Sequence, residues 1–290
     1  MTNESRSKHR DGVVSGPKSI LVHVDASAAS LRRLQLGAAL GRTWDAEVTA
    51  VYAVASLGAE YPYIYVIGSP EAVALVRETE ESNLVSARKA FDSVAEHNPR
   101  LRWAAPTTEP LRTIVRQGRY ADLLVLGQRD PADPPQACLP STFVESVLSD
   151  SGRPALVVPY IGIPQTFGKV ALVAWKNTRE SARALSAALP FLRRCEHVHV
   201  VAWEEDGGEE RETPLDIERY LFLQGIDIRM HRGERAPESI GDALLSLAAD
   251  TSADLLVMGC YGHTRAREWV LGGATRTVLQ SMTVPVLMAH

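Results

Sequence analysis

"ADLLVMGC", Ala253 to Cys260, has a twin in the same chain: "ADLLVLGQ", Ala121 to Gln128. Each is a short, nearly continuous apolar run that reaches a glycine, as expected of a strand buried on both faces of a parallel sheet. The similarity extends outward. "KSILVHVDASAAS" (Lys18 to Ser30) lies over "KVALVAWKNTRES" (Lys169 to Ser181) without a gap, so that Lys176 stands where Asp25 does, 151 positions on. "GRPALVVPY" (Gly152 to Tyr160) falls over "TVPVLMAH" (Thr283 to His290), each with a proline before an apolar run. Three matches in the same order make the chain a tandem duplication. The Pro and Gly residues of "PYIGIPQTFG" (Pro159 to Gly168) fit a linker between the copies. The chain therefore divides into a polar, disordered tail (1–17), a first domain (18–160) and a second domain (161–290).

The 290 residues are 45% hydrophobic and 23% charged, enough for both copies to bury a core. A net charge of -4 argues against a nucleic-acid partner, which would need a surplus of Lys and Arg. No apolar stretch approaches the roughly 20 residues that span a bilayer, and the N-terminus has no signal-peptide core. Cys138, Cys195 and Cys260 are widely spaced and form no Cys-x-x-Cys pair, which suits a reducing cytoplasm and gives no zinc framework. Cys260 reads either as a thiol activated at a helix N-terminus or as a small, inert filler.

Strands are expected at Ile20–Val24, Val48–Val54, Leu101–Ala104, Leu123–Leu126 and Ala155–Val158. In the second copy they fall at Ala171–Trp175, Val198–Ala202, Ile226–Met230, Leu255–Met258 and Val284–Met288. Helical patterns fill gaps between them, including "SLRRLQLGAALGRT", "EAVALVRETEESNLVSARKAFDSVAEH", "SARALSAALPFLRR", "PLDIERYLFLQ" and "SIGDALLSLAAD". Thr213, Pro214 and Asp216 read as a helix start. Alternating strands and helices imply an α/β fold: two tandem, doubly wound, five-stranded parallel sheets with helices on both faces. Ligands of such sheets bind beyond the carboxyl ends of the strands, where the strand order reverses.

That edge is where the glycines fall. Gly259 follows the buried strand, Gly262 lies three residues on, and Gly272 and Gly273 precede "ATRTVLQSM", whose Ala274, Val278 and Leu279 fit one helix face. A glycine turn joined to a helix N-terminus can present free amides to an anion, phosphate being the natural one. The same glycines equally permit tight turns with no ligand at all.

The order Gly259-x2-Gly262-x9-Gly272, after "ADLLVMG" and before "VPVL", resembles the signature of the universal stress protein family, and "ILVHVDAS" (Ile20 to Ser27) is similar to its opening strand. The resemblance covers the chain twice and implies the tandem form. It further implies a strand order 3-2-1-4-5, pairing of domains through the fifth strand into a pseudo-dimer, and ATP or a related adenine nucleotide in the crevice, with Mg²⁺ only alongside ATP. By this resemblance Asp25 and Lys176 occupy the position that touches the nucleotide, and Gly259, Gly262, Gly272, Gly273 and Thr275 the positions around the phosphates.

Both copies depart from the pattern. The second has Lys176 at the aspartate position and Gly273 where a hydroxyl residue is expected, leaving Thr275 to supply one. Lys176 can pair with a phosphate as a flexible point charge or reject the ribose. The first keeps Asp25 and Ser27 but replaces the glycine loop with "GQRDPADPPQACLPSTFVES", whose prolines remove amides and whose Asp130 and Asp133 repel anions. No nucleotide triphosphate is expected there, and Asp25 serves instead to cap the following helix.

Other features carry weaker chemistry. Arg265 and Arg267 could close over a phosphate or meet a carboxylate. His197 and His199 share a strand face without a third metal ligand, and the tyrosines of "YPYIYVIGSP" (Tyr61 to Pro70) suit domain packing or a partner surface. Three functions follow: a cytoplasmic stress-response protein binding an adenine nucleotide in its second domain and acting on unidentified protein partners, a nucleotide-independent scaffold, and a weak ATPase. No phosphate-binding P-loop, nucleophile elbow or base beside the glycines supports an enzyme, so no catalytic residue is assigned. Association into a homodimer is left open.

Overall fold

The computed structural model describes residues 16–56, 68–130, 132, 139–163, 167–203, 215–233, 236–260 and 273–290. The first half runs β1 (Ser19–Val24), α1 (Ala28–Trp44), β2 (Glu47–Tyr52), α2 (Pro70–Ala95), β3 (Leu101–Trp103), α3 (Pro110–Gly118), β4 (Leu123–Gly127), α4 (Phe143–Ser151) and β5 (Ala155–Val158). The second runs β6 (Val170–Ala174), α5 (Arg179–Leu192), β7 (His197–Trp203), α6 (Ile217–Leu223), β8 (Arg229–Gly233), α7 (Ile240–Asp250), β9 (Leu255–Gly259), α8 (Gly273–Ser281) and β10 (Val286–Ala289).

The first half has the strand order 3-2-1-4-5, and the second repeats it from the opposite edge, so the ten strands form one sheet, β3-β2-β1-β4-β5-β10-β9-β6-β7-β8. Neighbours are parallel except at the centre. There β5 and β10 run antiparallel, with Leu156 opposite Leu287 and Val157 opposite Val286.

Alternation along the strands divides the core into two layers. Ile20, Val22 and Val24 of β1 belong to one layer, to which α1, α2, α5 and α6 contribute Leu34, Phe91, Leu185 and Leu221. Leu21 faces the other layer, to which α3, α4, α7 and α8 bring Ile114, Val147, Leu244 and Val278. Each half thus covers both sheet faces with two helices, and the crossovers leave each crevice at the carboxyl edge between its first and fourth strands.

The aspartate of the repeated "ADLLV" has the same task in both halves. Asp122 accepts the amides of Lys18 (2.8 Å) and Ser19 (3.1 Å), and Asp254 accepts those of Gly168, Lys169 and Val170 at 2.9–3.1 Å. A carboxylate bonded to backbone N–H groups thereby starts β1 and β6 beside β4 and β9. The arginine pair Arg32 and Arg183, also 151 apart, donates to the carbonyls of Tyr160 and His290, just beyond β5 and β10.

One local expectation is corrected. The strand expected at Ile226–Met230 lies at Arg229–Gly233, because Ile226 closes the end of α6 through its N–H to Leu221 O (3.0 Å) and sinks into the core. Asp216 itself caps α6, accepting from Arg219 N at 2.7 Å; Thr213 and Pro214 lie outside the described residues. Helices α3 and α4 carry no expectation above, since at nine residues each their periodicity is short. Among the described residues no helix is long and apolar enough to cross a membrane.

Candidate functional site

At the end of β1, Asp25 is buried and forms an ion pair with Arg33 of α1, Oδ2 to Nη2 2.6 Å, with both side chains 1% exposed. Its Oδ1 accepts from Ser27 N (2.8 Å) and from the Ser27 hydroxyl. Burial acts to raise the Asp25 carboxyl, but Arg33, His23 and the Ser27 bonds outweigh it and hold it below the usual carboxylate value. Arg33 also donates Nε to His23 O (3.1 Å), and His23 Nε2 is 2.8 Å from Ala53 O. Burial, aided by the Arg33 charge, lowers His23 to about 4, against smaller opposing effects of Asp25 and the Ala53 carbonyl.

The Arg33 guanidinium lies across Gly127, the end of β4. A Cβ built on that glycine would be 2.3 Å from Arg33 Nη1. Arg33 therefore spans the first crevice from β1 to β4, and the remaining cavity, bounded by His23, Asp25, Gly127 and Phe143, holds about 20 Å³. That is room for about one water. The cap expected of Asp25 is made by Ser27, whose hydroxyl accepts from Ser30 N at 3.1 Å. Asp25 instead holds that serine and Arg33 in place.

The second crevice, between β6 and β9, is built differently. Ala184 stands 151 positions beyond Arg33 and is fully buried in the core. Lys176 is exposed just past β6, and Thr178 caps α5 by accepting from Ser181 N at 3.3 Å. Beside the cap, Glu180 is 3% exposed and takes Arg179 Nε at 2.5 Å. Burial acts to raise the Glu180 carboxyl, but its hydrogen bonds, that from Arg179 foremost, outweigh it and leave it below the usual value.

Gly259 sits against this first turn of α5. An added Cβ would come within 2.5 Å of Ser181 N and 2.7 Å of the Glu180 carbonyl carbon. Its lack of a side chain is thus demanded by helix–strand packing, whatever else approaches. The Cys260 amide is already bonded to Ala289 O (2.9 Å), and the thiol is pushed up to about 12 by burial, with the Glu180 and Glu145 charges adding to it. A buried thiol raised in this way fits the inert-filler reading of Cys260.

A family model described as the universal stress protein family matches residues 17–159 and, a second time, 169–290. The chain belongs to the universal stress protein family. The fold agrees with that of a universal stress protein from Archaeoglobus fulgidus at a TM-score of 0.69 and 19% identity, covering 95% of this chain and 97% of that one. A structure from Pseudomonas aeruginosa is similar at a TM-score of 0.58 and 15% identity, covering 96% and 95% of the two chains. Universal stress protein Slr1230 of Synechocystis is 41% identical over 46 residues; the match spans only 16% of this chain and 16% of that protein's length.

In this universal stress protein, the residues named from sequence gather unevenly. Asp25 lies in the first crevice, while Lys176 and Gly259 flank the second, at the ends of adjacent strands. Gly273 opens α8, with open space where its Cβ would be. Thr275 is 3% exposed and turns inward with Val278 and Leu279, so it packs into the molecule instead of facing solvent. Gly262, Gly272, Arg265, Arg267, Cys138 and Tyr61 to Tyr65 lie outside the described residues.

Sequence reasoning missed Arg33 and Glu180. Both left a signal: Arg33 occupies the α1 face shared with Leu36, Gly37 and Leu40, where periodicity calls for an apolar residue, and the second copy has alanine there. Glu180 likewise stands 151 positions beyond Ala29, a buried alanine.

Proposed function

We propose that this universal stress protein acts in the cytoplasmic stress response, binding one adenine nucleotide in the crevice of its second half and presenting a nucleotide-dependent surface to a protein partner. The observation that carries the proposal is the asymmetry between Arg33 and Ala184. In the first half a guanidinium fills the space over the fourth strand's final glycine. In the second half alanine replaces it, and Lys176 stands exposed at the strand end, a point charge suited to phosphate. The chemical class, adenine nucleotide, follows from the family resemblance of the glycine spacing. Magnesium enters with ATP; among the described residues no three His, Cys, Asp or Glu side chains are assembled to hold a metal. To act as a signal, the nucleotide must bind one conformation better than another.

The test is chromatography of small molecules released on denaturing the purified protein, followed by competition of ATP against a fluorescent adenine analogue. Release of an adenine nucleotide and full competition are expected. Neither release nor saturable analogue binding would contradict the proposal.

A second reading, a scaffold indifferent to nucleotide, is favoured by Gly259 and Glu180. The glycine is accounted for by packing against α5, and the carboxylate places a negative charge beside the same strand end. Under that reading partner capture is unchanged by added ATP.

A further inference from the structure

At the far edge of the second half, β7 and β8 pair in parallel, with His199 opposite Arg229 and Val201 opposite His231. The alternation of strands puts His197, His199, Arg229 and His231 on one face. His199 Nδ1 and His231 Nε2 are 2.8 Å apart, and the rings stack with centroids 5.1 Å apart and 24° between planes. Such a contact requires one N–H and one lone pair, so the facing nitrogens share a single proton. With both rings charged, two N–H groups would point at each other.

Among the described residues no acidic group is found acting on His199. The groups acting on His199 are His231 and Arg229 of β8 and His197 of its own strand, all basic. Its register partner on β6 is Leu172. Arg232 of β8 points to the opposite face, where Glu218 of α6 takes it at 2.6 Å. Burial, first, and these basic neighbours hold His199 below the ordinary imidazole value. As an edge strand, β8 is held by one neighbour only, and none of its five residues is fully buried.

We propose that the His199–His231 pair is an acid-sensitive clasp, holding edge strand β8 to β7 while it shares one proton and releasing it when both imidazoles are charged.

Amide hydrogen exchange of the whole protein between pH 7 and 5, corrected for the intrinsic rate, tests this. Protection at Met230 to Gly233 is expected to fall at least about tenfold while β9 and β10 keep theirs, and His231→Gln should remove the pH dependence. Protection of β8 that is constant with pH, that falls equally in every strand, or that falls equally in His231→Gln overturns the proposal. Should that variant fail to fold, imidazole ¹⁵N resonances of the wild type decide: one ring remaining neutral well below pH 6 supports the clasp, and two rings charging independently at ordinary values overturn it.

Discussion

Asp25 and Arg33 depend on each other, because neither charge has water to fall back on. Removing one partner of such a pair leaves an uncompensated buried charge, at a cost of about 3–5 kcal/mol. Asp25→Ala should therefore lower the unfolding free energy by that order, measured by chemical denaturation. Combined with Arg33→Ala it should cost less than the sum of the single changes, as a double-mutant cycle would register. His23 adds a pH dependence. Its folded value of about 4 lies below the ordinary 6.5, so the folded state binds fewer protons over that interval and stability falls as pH drops through it. The loss should be on the order of 3 kcal/mol between pH 6.5 and 4 and should flatten in His23→Gln. At this scale Asp25 and Lys176 were visible in the sequence because strand ends announce themselves. Arg33 was visible only as a break in an apolar face, which periodicity alone does not translate into a filled crevice.

Between elements, Gly127 and Gly259 occupy matching positions for different reasons. Gly259 meets the backbone of α5, which cannot yield without moving the helix, whereas Gly127 meets the Arg33 side chain. Gly259→Ala should thus destabilise by about 1–3 kcal/mol in any background. Gly127→Ala should be costly in the wild type and nearly neutral once Arg33 is alanine, as thermal melts of the four combinations would show. Strands within each half were legible because parallel, doubly buried strands read as Val- and Leu-rich runs. The exception, β8, is an edge strand whose alternating polar residues differ little from the turn before it. Helices α3 and α4 were too short for a repeated apolar face to separate them from loop.

Over the whole molecule, duplication revealed the architecture, and laying one copy over the other exposes where they diverged. Identical frameworks persist in Asp122 with Asp254 and in Arg32 with Arg183. The crevices do not: one holds a buried ion pair, the other an exposed lysine, a buried carboxylate and an alanine in place of the arginine. Single-sequence patterns locate such edges but do not say which side chains fill them, since filling depends on contacts between helix and strand ends far apart in the chain. The proposed function makes this divergence the reason for a single nucleotide site per chain. Isothermal titration of the full chain with ATP and Mg²⁺, in the wild type and in Lys176→Glu, measures this directly. One nucleotide per chain, weakened at least about tenfold by the substitution, is the predicted result; two per chain, no saturable heat, or an affinity untouched by Lys176→Glu would contradict it.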